Sequence, residues 1–317
     1  KFLEPLIIMP GDKLKKEIII NLLYAEVFSH PLKKEEIENY SPHKTTSKDL
    51  EQAFDELVNG NVIKSKDDYY YVFEEGEKIN KRLKGNDSAD KMMPKAKKIA
   101  RFIHKFPFVE GVGISGSLSK GVLHDDADFD FFIITKPNRL WVARTLLILY
   151  KKVFLLNSRK FFCVNYFIDT DNLEIEEKNR FTAMEIATLI PASGEIMQLF
   201  YSENEWIESY LCHQYDGEEN ITSLRKPILS KLITGSLKGK FGEWMDDKFM
   251  RMTFNRWQKK FGTFDSKKFD LTMKTRKYVS KHHPSDFQNK ILVKHEELIT
   301  AFKKEHIDEL EKQNVSL

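Results

Sequence analysis

The chain has little of what marks several common classes of protein. It contains two cysteines in 317 residues, too few for a disulfide framework or a cysteine-rich metal site. No apolar run in it reaches the roughly 18 residues that suggest a membrane-spanning helix. The net charge is only +3, because 51 basic residues nearly balance 48 acidic ones, so no global charge draws the chain to nucleic acid or to a membrane. These absences favour a reduced, cytoplasmic protein.

What the chain does contain is enough apolar surface for real cores. Apolar residues make up 41% of it, with 24 Phe and 11 Tyr, which argues against disorder. The length admits two or three domains. We expect three regions, residues 1–83, 92–177 and 178–317, with the first boundary in the polar segment KGNDSADK at 84–91.

The first region follows the element order of a winged helix-turn-helix. Helical spacing of apolar residues predicts a helix over 13–29, Pro31 ends it, a short helix follows, and Ser47 is expected to N-cap a third. Two short β-like runs then predict a hairpin. Such a module binds DNA through its third helix, but here that helix exposes acidic residues, which repel phosphate. We therefore favour a docking role and keep DNA contact as the alternative.

The second region alternates strand and helix signals. A basic helix leads into the strand VEGVGISG, DFDFFIIT predicts a second strand, a mostly buried helix follows, and KFFCVNYFID predicts a third strand. This order predicts an α/β core with neighbouring strands. From about residue 178 onward helical patterns dominate, so we expect a helical C-terminal region.

Paired carboxylates open the second predicted strand. Because side chains alternate across a strand, Asp128 and Asp130 project on one face while the aromatic residues beside them anchor the other. Two carboxylates this close repel each other unless a proton or a cation intervenes, and their oxygens suit Mg²⁺. The alternative for this pair is a solvated turn before a strand.

The loop GSLSKG precedes the carboxylates and offers what a phosphate needs. Gly116 lets the backbone approach a ligand closely, and Ser117 adds a hydroxyl to loop amides that can hold phosphate oxygens. Lys120 supplies a positive charge, although a solvated loop lysine fits the sequence equally well. A phosphate loop beside paired carboxylates predicts a Mg²⁺-bound nucleoside triphosphate as the ligand. The spacing differs from that of a P-loop.

Gly116-Ser117, ten residues, and then Asp128-Phe129-Asp130 resemble the signature of the polymerase-beta-like nucleotidyltransferase superfamily. GSLSKG is also similar to the extended Gly-Ser-x-x-Arg/Lys-Gly form of its minimal and antibiotic-modifying members. The resemblance covers roughly residues 109–168, and stand-alone bacterial members often carry additions such as the two flanking regions. It implies an α+β fold with a mixed sheet, here preceded by a winged helix-turn-helix and followed by a helical C-terminal region.

The resemblance also implies an activity. Such an enzyme transfers a nucleoside monophosphate from an NTP, ATP first among them, to an acceptor hydroxyl and releases pyrophosphate. Gly116 and Ser117 would hold the triphosphate, and Asp128 and Asp130 would bind two Mg²⁺ ions, which stabilise the attacking and leaving oxygens. The acceptor, a small molecule, a protein or an RNA end, stays open.

One position departs from the family pattern. Members usually carry a third carboxylate on the later strand, where this chain has Asn165, interpreted either as a weaker metal ligand or as a satisfied core amide. Asp169 would serve if the register differs by four residues, and Asp126 shares the parity of Asp128. The departure keeps a second function open: a catalytically weak nucleotide-binding or regulatory protein whose N-terminal module contacts DNA or a protein partner.

A pair of histidines, His282 and His283, stands beside Pro284. Adjacent residues on a helix do not face each other, and no third metal ligand is near in sequence. We interpret the pair as a helix-ending turn rather than as a catalytic or metal site.

Overall fold

A computed structural model of the chain describes residues 11–42, 45–74, 76–124, 127–158, 160–211 and 224–317. The chain forms a mixed α+β structure around a six-stranded mixed sheet, as expected. Within the described ranges no helix is both long and apolar enough to cross a bilayer.

The N-terminal part contains three helices and an antiparallel hairpin, in the predicted order. They are α1 (Gly11–Glu26), α2 (Lys34–Asn39), α3 (Ser47–Asn59), β1 (Lys64–Lys66) and β2 (Tyr69–Tyr71). The N-cap of α3 is Thr46 and not the predicted Ser47, because the Thr46 hydroxyl accepts a hydrogen bond from the Asp49 amide at 3.2 Å. Whether these elements form a winged helix stays a prediction.

The segment 84–91, at which we expect the first domain boundary, is helical. It lies inside α4 (Lys78–His104). The composition of this segment is polar and includes glycine, but the carbonyl of Gly85 accepts a hydrogen bond from the Leu123 amide at 3.0 Å, and Ala89 is buried. These contacts with residues far along the chain outweigh the weak helix propensity of glycine.

The three strands predicted for residues 92–177 are present and adjacent. The elements are β3 (Val109–Ser115), the short helix α5 (Gly116–Ser119), β4 (Asp130–Thr135), α6 (Leu140–Phe154) and β5 (Cys163–Asp169). β4 is antiparallel to β3 and parallel to β5. The parallel connection runs through α6, as a crossover between parallel strands requires.

Residues 178–317 are not only helical, which corrects the expectation for this region. The elements are α7 (Arg180–Ala187), β6 (Ile190–Ser193), α8 (Ile196–Ser202), a 3₁₀ turn (Glu205–Ser209), α9 (Ile228–Ser236), α10 (Gly239–Lys260), α11 (Ser266–Thr272), β7 (Thr275–Arg276), β8 (Val279–Lys281), α12 (Phe287–Glu305) and α13 (Ile307–Lys312). The sheet order is β6-β3-β4-β5-β8-β7. The three added strands have two to four residues, too few for a periodic signal.

The sheet is covered on both faces, and the residues of β4 alternate between two cores as predicted. Phe129, Phe131 and Ile133 pack in one core with residues of α4 and α6. Phe132 and Ile134 pack in the other, with residues of α7 and α8. This alternation sets the face on which Asp130 opens.

The N-terminal helices and the C-terminal helices share a core. Phe302 of α12 is fully buried among apolar residues of α1 and α3, and the rings of Tyr24 and His295 meet edge to face with centroids 5.3 Å apart. The C-terminal helices therefore pack against the N-terminal part. The division of the chain into three domains stays a prediction.

Buried histidines make the stability of the fold depend on pH. Burial lowers the pKa to about 4 for each of four histidines, His30, His104, His283 and His295. In the unfolded chain a histidine titrates near pH 6.5. Between about pH 6.5 and 4 the unfolded chain therefore binds more of these protons, and their contribution to the free energy of unfolding is lost as the pH falls.

We expect His104→Leu to make this pH dependence shallower. The variant removes one group that is neutral when folded and protonated when unfolded, so the slope of the unfolding free energy falls by up to about 1.4 kcal/mol per pH unit. Urea denaturation of wild type and variant at about pH 7 and about pH 5 measures it. Buried carboxyls with raised pKa, such as Asp130, act in the opposite direction in both proteins. Equal slopes in the two proteins would contradict the lowered pKa of His104.

Candidate functional site

A cavity of about 600 Å³ opens at the end of the sheet where β3 finishes and β4 begins. It lies on the face that α7 and α8 cover. All six residues that the sequence analysis selects line it: Gly116, Ser117, Lys120, Asp128, Asp130 and Asn165. The fold thus brings together the glycine loop and the carboxylates that the sequence places ten residues apart.

Gly116 is required by the geometry of this end of the sheet. The chain leaves β3 at Ser115, and Gly116 has a φ of +73° as it turns into α5, a conformation that favours glycine. A Cβ atom on Gly116 would lie only 2.6 Å from Oδ2 of Asp130. The missing side chain therefore lets the loop and the carboxylate lie side by side.

Asp130 is the first residue of β4 and is positioned from two sides. Its backbone pairs with Ser115 of β3, and its Oδ1 accepts a hydrogen bond from Nδ2 of Asn165 at 3.2 Å. Asn165 sits at an irregularity of β5, where Val164 and Tyr166 face consecutive residues of β4. Such a bulge re-aims a side chain. Asn165 is thus a hydrogen-bonded partner of the carboxylate.

The surroundings of Asp130 oppose its negative charge. Burial is the main reason that the pKa of Asp130 is raised to about 6, and the charges of Asp128 and Glu185 add to the rise. Hydrogen bonds from Cys163 and Asn165 offset part of it. A carboxyl group held in this state gains from a bound cation, because the cation stabilises the ionised form.

Lys120 has a defined place in the site. Its Nζ lies 2.8 Å from Oε1 of Glu185 and 3.2 Å from the carbonyl oxygen of Gly116, to which it donates. The lysine therefore bridges the glycine loop and α7. These two contacts disfavour the alternative of a freely solvated loop lysine.

Asp169 and Asp126 are the two other candidates for the third carboxylate. Asp169 pairs with Thr135 at the far end of β4, where its Oδ1 accepts from Asn172 at 2.8 Å. The four-residue shift of register that would bring Asp169 beside Asp130 is not present, because Asp130 pairs with Cys163. Asp126 and its neighbour Asp125 lie outside the described residues.

Within the part of the chain that the structure describes, no group of three or more His, Cys, Asp or Glu side chains is placed to hold a metal ion. Asp128 and Asp130 form a pair rather than a complete protein cage. Mg²⁺ bound by one or two protein carboxylates commonly completes its shell with water and substrate oxygens.

His283 lies at this cavity, which the sequence analysis did not expect. It follows β8, with its backbone amide donating to the carbonyl of Thr272 at 2.8 Å, so it follows a strand and does not end a helix. Its ring lies against Tyr166, whereas the ring of His282 lies against Trp257. Nε2 of His283 is enclosed without a hydrogen-bond partner. Burial, with the charge of Lys281, keeps its imidazole neutral at pH 7 by lowering its pKa to about 4.

Glu185 lies at the cavity, although no local sequence pattern predicts it there. The residue lies in α7, and its contact with Lys120 joins segments 65 residues apart. A helix pattern shows that Phe181 and Glu185 share a face, but it does not show what that face meets. The same holds for His283, which β8 brings beside β5.

No protein-family model matches the chain, and no curated protein or solved structure matches it. The site is therefore interpreted from its own geometry and chemistry. It combines a glycine loop, a lysine held in place by Glu185 and a carboxylate pair at one end of a mixed sheet. That combination suits a ligand with anionic groups and an associated cation.

Proposed function

We propose that this protein is a Mg²⁺-dependent nucleotidyltransferase of the cytoplasm, which moves a nucleoside monophosphate from an NTP, ATP first, to an acceptor hydroxyl. The observation that carries the proposal is the convergence of Gly116, Ser117, Asp128 and Asp130 on one cavity. The close approach of the loop to the carboxylate also supports it, since a Cβ atom on Gly116 would lie 2.6 Å from Oδ2 of Asp130. The sequence resemblance to the polymerase-beta-like superfamily predicted the same four residues.

The residues present fit the cation that this function needs. Asp128 and Asp130 offer hard oxygen ligands, and the raised pKa of Asp130 marks a carboxylate that a cation would stabilise. Mg²⁺ commonly takes one or two protein carboxylates and completes its shell with water and substrate phosphates, so a pair is sufficient. When bound, the two predicted ions would neutralise charge on the phosphates and activate the acceptor hydroxyl. The amide nitrogen of Asn165 faces Asp130, which supports a positioning role for this residue more than ligation.

The proposed reaction is a displacement at the α-phosphorus. The acceptor oxygen forms a bond to the α-phosphorus, and the bond from that atom to the oxygen bridging to the β-phosphorus breaks. Pyrophosphate leaves with the electron pair, and the hydroxyl proton passes to solvent. The loop around Gly116 and Ser117 would hold the triphosphate, and Lys120 would neutralise part of its charge.

Labelled nucleotides test the proposal. The protein is incubated with each of the four α-labelled NTPs and Mg²⁺ or Mn²⁺, and label is followed into the protein, into RNA and into a metabolite extract. We expect metal-dependent transfer to one of these acceptor classes, which would identify it. Transfer that is absent in all three, or that persists in a variant carrying both Asp128→Asn and Asp130→Asn, would reject the proposal.

Removing the charge of Lys120 is expected to weaken nucleotide binding, with a smaller effect than removing both carboxylates. We expect Lys120→Ala to weaken binding of Mg²⁺-ATP by at least about 10-fold, since a hydrogen bond to a charged group contributes about 1.5–3 kcal/mol. Glu185→Gln is the matched variant. It leaves Lys120 in place without its counter-charge, so ATP binding is expected to stay equal or tighten. Isothermal titration calorimetry measures both, and weaker binding in Glu185→Gln would contradict the role of Lys120.

One observation favours a second function, a nucleotide-binding or regulatory protein with little catalysis. Asn165 stands where the family usually has an acid, and its amide is committed to Asp130. The N-terminal helices would then contact DNA or a protein partner. Against duplex DNA, α3 exposes Asp49, Glu51 and Asp55, which repel phosphate. Nucleotide binding without pyrophosphate release, together with salt-sensitive binding to duplex DNA, would support this function over transfer.

A further inference from the structure

The apolar end of the cavity carries exposed aromatic side chains that the phosphate loop and the carboxylates do not explain. Phe28 and Phe287 keep 41% and 46% of their surface exposed, and both line the cavity together with Phe181. Large apolar side chains left open in a concave site mark a place where a ligand binds.

These three rings form one aromatic cluster from distant parts of the chain. The ring centroids of Phe28 and Phe287 are 6.4 Å apart, and those of Phe181 and Phe287 are 6.1 Å apart. Phe28 follows α1, Phe181 lies in the first turn of α7, and Phe287 opens α12. The cluster therefore depends on the packing of the N-terminal helices against α7 and α12.

Helix α7 sets the distance between the aromatic cluster and the phosphate loop. Phe181 and Glu185 are four residues apart on this helix, so they lie on one face with about 6 Å between their Cβ atoms. Glu185 contacts Lys120 at 2.8 Å. One helical turn of α7 therefore separates Phe181 of the cluster from Glu185, the residue that contacts Lys120, so the cluster and the phosphate loop lie at different places along one cavity.

We propose that Phe28, Phe181 and Phe287 bind the base of the nucleotide by stacking. The inference rests on the proposed function, because it takes the phosphates to lie beside Lys120 and the glycine loop. Every base has a flat π face, so stacking on aromatic side chains holds a base without selecting its identity strongly. The aromatic cluster also gives the N-terminal helices a role in the site, since Phe28 belongs to that part of the chain.

Two probes separate the base from the phosphates. They are α,β-methylene ATP, which has a base and resists cleavage at the α–β bridge, and tripolyphosphate, which has no base. Each is titrated with Mg²⁺ into the full chain by isothermal titration calorimetry. We expect Phe287→Ala to weaken nucleotide binding about 10-fold, within the range for losing one stacked ring, and to leave tripolyphosphate binding unchanged.

Three further variants complete the experiment. Phe28→Ala is expected to act in the same direction, and Phe287→Trp to retain nucleotide binding because it keeps a stacking surface. Phe154→Ala is the matched control, since this ring on α6 is 69% exposed and does not line the cavity. Thermal unfolding of each variant shows that the fold is kept.

The outcomes distinguish this inference from the function on which it rests. Equal binding of the two probes by the wild type, or unchanged nucleotide binding in both alanine variants at Phe28 and Phe287, overturns the base subsite and leaves the proposed function standing. Failure of the wild type to bind tripolyphosphate and the nucleotide overturns the phosphate site, and with it both proposals.

Discussion

Replacing both carboxylates, as Asp128→Asn with Asp130→Asn, is expected to reduce nucleotide transfer at least about 10³-fold, which corresponds to about 4 kcal/mol of transition-state stabilisation. The amides keep the shape of the side chains and lose the charges that would hold the cations. The folded state should not be weakened, because burial already opposes the charge of Asp130 and raises its pKa to about 6. Initial rates with α-labelled ATP and urea denaturation measure the two effects.

Asp169→Asn is the control for this prediction. Asp169 belongs to the same sheet. It lies at the end of β5 away from Asp130, where it accepts hydrogen bonds from its own turn. We expect its replacement to leave the rate unchanged. A rate that falls as much in Asp169→Asn as in the double variant would mean that the loss reflects a general disturbance of the sheet.

Gly116→Ala is expected to lower transfer about 100-fold, because a displacement of about 1 Å in a catalytic group has an effect of that size. The new Cβ would lie 2.6 Å from Oδ2 of Asp130, so the carboxylate must move. The variant also places alanine at a φ of +73°, which costs about 1–2 kcal/mol of stability. Steady-state rates and unfolding free energies separate the two contributions.

Gly121→Ala isolates the contribution of Asp130. Gly121 has a similar φ of +68°, but the nearest atom to its added Cβ is Nδ2 of Asn86 at 3.7 Å. We expect a similar loss of stability in both variants and little loss of activity in Gly121→Ala. Equal losses of activity would show that backbone strain in the loop, and not the contact with Asp130, decides the result.

Short-range patterns predicted the part of the site that a short stretch of chain builds. Alternation along residues 129–134 correctly assigned the two faces of β4, because side-chain direction in a strand follows from position alone. The same parity put Asp128 and Asp130 on the cavity side. The positive φ of Gly116 is likewise a local property that glycine signals.

Contacts between segments that are distant along the chain could not be predicted from the sequence. The packing of α7, β8 and the N-terminal helices places Glu185, His283 and Phe28 at the cavity. Their local patterns are those of ordinary surface or helix positions, so nothing near them in sequence marks a site. The helical state of residues 84–91 has the same origin, since contacts of Gly85 and Asn86 with residues 121–123 stabilise it.

The N-terminal helices pack beside the cavity, which bears on their role. The sequence pattern of these helices is compatible with DNA contact and with docking to a protein. In the structure Phe28 lines the cavity, and α1 packs against α12. A module that supplies part of a cavity wall is expected to affect nucleotide binding when altered, and the acidic face of α3 is expected to stay away from duplex phosphates.

The fate of the γ-phosphate tests the central claim most directly. With γ-labelled ATP, Mg²⁺ and the acceptor identified with the α-labelled nucleotides, transfer of a nucleoside monophosphate to that acceptor releases the label as pyrophosphate, whereas phosphoryl transfer or simple ATP hydrolysis places it elsewhere. We predict that the wild type releases labelled pyrophosphate and that the variant with Asp128→Asn and Asp130→Asn does not. Label recovered as inorganic phosphate or on an acceptor, or equal pyrophosphate release from the two proteins, would contradict a nucleotidyltransferase site at these carboxylates.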